Sequence, residues 1–106
     1  MQSNRYLWLV NSFFDELGAR FARAAARSGV AIEAPELSPA VAQELLELAR
    51  VAAHTRERRF APLTTYVAGM VAERVRAAGG TASPEAAAKL IREVREELEA
   101  ETTPDP

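Results

Sequence analysis

Apolar residues recur every three or four positions along most of this chain. Leu7, Val10, Phe14, Leu17, Phe21 and Ala24 fall on one stripe and predict a first helix from about Asn4 to Ser28. Tyr6, Trp8 and Phe13 widen that stripe. Gly18 lies inside it, costs ~1 kcal/mol against alanine, and marks a kink, a close contact or a break into two helices. Arg20, Arg23 and Arg27 form a second stripe near the C-terminal end, where positive charge suits the helix dipole. Gly29 fits the position just after that end.

Val30 to Leu37 reads as a linker containing Pro35. Ser38-Pro39 then opens a second helix, with serine as the cap and proline in the first turn. Val41, Leu45, Leu48 and Ala52 form its core stripe, and Ala42, Leu46, Ala49 and Ala53 lie beside it. It should end near His54 or Thr55. A third helix should begin near Pro62 and face Leu63, Tyr66, Val67, Met70, Val71 and Val75 inward. Gly69 in its middle suits the close approach of another helix, and Gly79-Gly80 ends it. Ser83-Pro84-Glu85 repeats the capped opening for a fourth helix, with Ala87, Leu90, Ile91, Val94 and Leu98 as its stripe. Glu85–Lys89, Arg92–Glu96 and Arg95–Glu99 have the spacing of outer-face ion pairs. The acid-rich last turn opposes the dipole and predicts fraying. Residues 102–106 read as a disordered acidic tail. The expected architecture is all-α: a single-domain bundle over residues 1–101, of four helices, or five if the first breaks at Gly18.

Composition narrows the function. No run alternates long enough to predict a strand. The chain has no cysteine, which removes disulfides, thiolate catalysis and cysteine-based metal sites. Its first apolar run, Tyr6 to Val10, is cut by Asn11 and Ser12, unlike a secretory signal, and nothing reaches the ~20 apolar residues of a membrane span. The expectation is a cytoplasmic protein without membrane association. Charge is uneven. Residues 54–78 hold five arginines against two glutamates, whereas residues 79–106 hold three bases against seven acids. The net charge of −2, with few aromatics, argues against general nucleic-acid binding.

The basic corner between the second and third helices carries the candidate chemistry. His54 is the only histidine, so it lacks partners for a metal site and an acid at fixed spacing for catalysis. Its ordinary role is a last-turn histidine favoured by the dipole. Arg50, Arg56, Arg58 and Arg59 could converge on an anion at the start of the third helix, where Thr64 and Thr65 could add hydroxyl donors. The ordinary alternative is a solvated turn whose arginines pair with Glu57 or the acidic tail. The aromatics of the first helix are too many for one interior face, so excess apolar surface there would serve a partner or a homodimer. No glycine-rich phosphate loop or catalytic triad is present, and Glu44 and Glu47 read as surface acids. No cofactor is expected.

The same corner resembles a family. Leu46, Leu48, Ala49 and Arg50, then Ala53-His54, Arg58, and Ala61-Pro62-Leu63-Thr64-Thr65-Tyr66 followed by Gly69 match the middle of a small helical domain of unknown function. That domain is common in actinobacteria and occurs alone or fused behind the guanylyltransferase-type enzyme that makes the molybdenum cofactor dinucleotide. Trp8-Leu9 and Leu17-Gly18 also match, while Ala52, Arg59, Phe60, the long fourth helix and the acidic tail depart from the pattern. The resemblance implies a link to molybdenum-cofactor assembly or molybdoenzyme maturation, with a molybdenum-cofactor enzyme as partner. It supplies no reaction. The expected function is a non-catalytic accessory domain with a partner or anion site at Arg50, His54, Arg56, Arg58, Thr64 and Thr65. The alternatives are an enzyme or carrier for a phosphorylated or pterin-type molecule, and a nucleic-acid-binding helical domain.

Overall fold

The computed structural model describes residues 2–81 and 83–101, with side chains from residue 11 onward. The described chain forms α1 (Gln2–Arg27), α2 (Pro39–Thr55), α3 (Phe60–Ala77) and α4 (Pro84–Glu101), without strands. The all-α class therefore holds, with four helices. Among the described residues there is no fifth helix, because α1 runs unbroken through Gly18. The expected tail, residues 102–106, lies outside the described residues.

The chain divides into two compact units, Met1–Leu37 and Ser38–Pro106. In the first, Gly18 is buried and serves a close contact rather than a kink. A Cβ there would lie 2.5 Å from the Pro35 carbonyl oxygen. The linker can therefore fold back onto α1 only because position 18 has no side chain. Past α1, Gly29 takes φ 95°, with Val30 N–H donating to the Ala25 carbonyl and Gly29 N–H to Ala26. That pair of bonds is the Schellman ending, and positive φ is what glycine allows there. Tyr6 and Trp8 have no described side chains. Phe13 and Phe21 are exposed, and the half-buried Phe14 meets Phe13 edge to face at 4.9 Å.

In the second unit the two serine caps form as the sequence predicts. Ser38 Oγ accepts from Val41 N–H at 3.2 Å and Ser83 Oγ from Ala86 N–H at 3.1 Å. α2 packs along both α4 and α3, while α3 and α4 touch only sparsely. Leu48, Val51 and Ala52 of α2 and Ala88 and Ile91 of α4 are the buried apolar residues among those described in this unit. The inward face expected for α3 is not inward: α3 buries no residue, and Leu63, Tyr66, Val67, Val71 and Val75 are exposed. An apolar stripe records an affinity for apolar surroundings; burial also requires a neighbour to cover it. α3 also begins at Phe60, two residues before the expected proline.

Charge, rather than further apolar contact, completes the α2–α4 interface. Glu44, read from the sequence as a surface acid, is buried and accepts from Arg92 Nε at 3.0 Å and from Arg95 Nε at 3.4 Å. Of the three expected outer-face pairs only Arg95–Glu99 forms, at 2.8 Å, because Arg92 turns to Glu44 instead of Glu96. The acid-rich end of α4 remains helical to Glu101 instead of fraying early. Arg50 of α2 donates to Glu99 at 3.4 Å and Arg56 to Glu101 at 2.7 Å, so arginines offset the unfavourable end of the dipole.

Candidate functional site

The arginines of the corner are drawn to different carboxylates. Arg50 is held by Glu47 at 3.0 Å as well as by Glu99. Arg56 reaches Glu101 and the Thr55 carbonyl, and Arg59 reaches Glu57 at 2.6 Å. The exposed side chains of His54 and Arg58 have no ion-pair or hydrogen-bond partner among the described residues.

The start of α3 offers few free amides to an anion. Phe60 N–H donates to the Glu57 carbonyl at 2.9 Å and Ala61 N–H to the Arg58 carbonyl at 3.2 Å. Pro62 has no N–H to offer. Two of the amides that would have gripped an anion are thus engaged and a third is missing. Thr65 Oγ1 donates to the Pro62 carbonyl at 2.8 Å, and Thr64 is half-buried facing an apolar cleft. The six residues expected to share one site therefore divide: Arg50 and Arg56 brace α4, the two threonines belong to α3, and His54 and Arg58 remain presented to solvent.

The more developed feature lies beside the corner. α3 and α4 splay apart above α2 and leave a cleft of about 140 Å³. Buried Leu48 and Ile91 form its floor, and Val67, Val71, Leu90 and Val94 are among its walls. Val67 is 50% exposed and Val71 41%. This volume is below the ~300 Å³ at which small-molecule pockets begin, and it suits an inserted apolar side chain. A wider hollow of about 440 Å³ lies near the α3–α4 turn, with Gly69, Ala72, Val75, Ala87 and Leu90 among its lining. Its charged residues, Glu73 and Arg76, are bonded to each other. The hydrogen bond from Arg76 holds the Glu73 carboxyl below its ordinary range against a smaller opposing effect of desolvation, so Glu73 is a poor proton donor.

Glu44 is the residue whose importance the sequence concealed. Its carboxyl is held below the ordinary value chiefly by the hydrogen bond from Arg92, against desolvation and with help from the charges of Arg92 and Arg95. It stays ionised and acts as a brace between helices. One local signal was available: Glu44, Leu48 and Val51 step by four and three along a single face of α2.

Among the described residues no group of histidine, aspartate and glutamate could hold a metal ion, and no helix is long and apolar enough to cross a membrane. No curated protein and no solved structure matches the chain. A family of domains of unknown function, DUF6457, matches residues 11–105, and the chain belongs to that family.

Proposed function

We propose that this chain is a non-catalytic accessory domain that docks a partner protein at the cleft between α3 and α4, with His54 and Arg58 as polar contacts at the neighbouring turn. The observation that carries this reading is the exposed apolar face of α3, above all Val67 and Val71 over the Leu48–Ile91 floor. Exposed apolar side chains around an apolar notch gain free energy when a partner covers them. The two unengaged polar side chains can add orientation and specificity at the rim.

The resemblance read at the corner supplies the partner to test: a guanylyltransferase-type protein of molybdenum-cofactor assembly. Calorimetric titration of that protein should give binding that Val71→Asp weakens at least tenfold and Arg58→Ala weakens less, with helical circular dichroism unchanged. Binding indifferent to both substitutions would remove the cleft from the account. The second reading, a carrier for a pterin-type or phosphorylated molecule, draws on the 440 Å³ hollow at the α3–α4 turn. It requires saturable binding of such a molecule that a bulky substitution at Ala87 abolishes.

A further inference from the structure

Two apolar stripes border the cleft, and each runs on into an unpaired charge. On α3, Leu63, Val67 and Val71 step by four and continue at the next turn into Arg74. On α4, Leu90 and Val94 continue into Glu97 with the same spacing. Arg74 and Glu97 are exposed and have no ion-pair or hydrogen-bond partner among the described residues. They sit at opposite ends of the cleft. α2 and α4 run parallel, since Glu44, Arg50 and Arg56 meet Arg92, Glu99 and Glu101 in that order. α3 turns back from the end of α2, so it runs against α4. Arg74 therefore lies toward the α3–α4 turn, and Glu97 toward the start of α3.

The neighbouring charges keep that polarity. Toward the turn, Arg74, Lys89 and Glu85 are unpaired among the described residues and leave a net positive charge. Toward the other end, Arg58, Glu93, Glu96 and Glu97 are unpaired and leave a net negative charge. The remaining arginines and glutamates of residues 38–101 pair off in equal numbers. A second copy is a poor occupant of such a cleft. Laid antiparallel, it opposes the arginines at the two ends of α3; laid parallel, it sets each charged end on its own like.

We infer that the cleft takes an amphipathic helix of another protein, acidic in its first turn and basic in its last, lying antiparallel to α3. Its first turn meets Arg74 and its last meets Glu97. The inference rests on the docking reading and names the chemistry of the partner. A helix suits the cleft because α2, α3 and α4 already supply three members of a four-helix arrangement. Its apolar side chains recur at the spacing of Leu63, Val67 and Val71, and one of them fits the notch over Leu48 and Ile91. Acids first and bases last is also the distribution that such a helix's own dipole favours. The apolar stripe supplies the attraction, and the two end charges fix the direction.

Fluorescence anisotropy with two synthetic helices of about 15 residues, roughly four turns, tests this. Both carry leucines at i, i+4 and i+7. One has glutamates in its first turn and arginines in its last, and the other has them exchanged. The first should bind the full chain about five- to tenfold more tightly at low salt, and added salt should narrow the gap. Arg74→Glu combined with Glu97→Arg should invert the preference. The peptides' own difference in helicity cancels in that comparison. Val71→Asp should weaken both. Equal binding of the two helices, or a ranking unchanged by the exchanged charges, would overturn the inference and leave the docking reading standing. So would failure of both helices while the guanylyltransferase-type protein still binds through Val71. A dimer lost on Val71→Asp would give the cleft to a second copy and overturn it as well. Loss of all binding, by helices and protein alike, would remove the docking reading with it.

Discussion

α3 and α4 are both 18 residues long and both pack on α2, yet they use their apolar residues in opposite ways. α4 carries more charge, buries Ala88 and Ile91, and is tied to α2 through Glu44, Arg50 and Arg56. α3 is richer in large apolar residues, buries none of them, and makes no side-chain ion pair with α2 among the described residues. The helix more suited to a core is the one left facing water. Hydrophobic pattern thus measures what a surface would gain from being covered.

The largest expected effect tests the scaffold half of this contrast. Leu48→Ala should cost about 2–5 kcal/mol in urea unfolding, as loss of a fully packed leucine does. Leu63→Ala on α3 should change stability by less than about 0.5 kcal/mol. Equal losses at both positions would mean that α3 is buried in solution and would break the comparison.

The two helical glycines sharpen it next. Gly18→Ala should lower stability by about 1–2 kcal/mol despite alanine's better helix propensity, because its methyl would press on the Pro35 carbonyl. Gly69→Ala should instead raise stability by about 0.5–1 kcal/mol, because Gly69 is exposed in mid-helix and a Cβ there would meet nothing within 4 Å. Matching signs would show that one of these environments is not as described.

Acid should loosen the bridge between α2 and α4. The folded-state carboxyl of Glu44 lies below its ordinary value of 4.5, so its bridge contributes fully above that value. The contribution is lost as pH falls through the depressed folded value. Thermal midpoints of wild type and Glu44→Gln should therefore differ at pH 7 and converge at low pH. A constant gap across the titration would assign the effect to packing alone.

How much of this was legible in the sequence depends on range. Ser38 and Ser83 cap helices, and Gly29 and Gly79 end them, through contacts three to five residues away, so local chemistry announced them. Gly18 could be read as a special position, but choosing between kink and contact required Pro35. Glu44 was missed because its arginine partners lie 48 and 51 positions later. For Arg50 and Arg56 the sequence offered either a shared anion or pairing with acids, and choosing between them required Glu99 and Glu101, which hold them from the far end of α4. His54 and Arg58, read from the sequence as part of the same corner, stay exposed there.

The central claim is that the α3–α4 cleft is a docking surface on an α2–α4 scaffold. Methyl NMR of the labelled chain, titrated with a guanylyltransferase-type protein of molybdenum-cofactor assembly, tests it most directly. The account predicts that Val67, Val71, Leu90 and Val94 shift strongly while Val51 and Ala88 hold still. Shifts confined to residues outside the cleft, or no shifts at saturating partner, would contradict it.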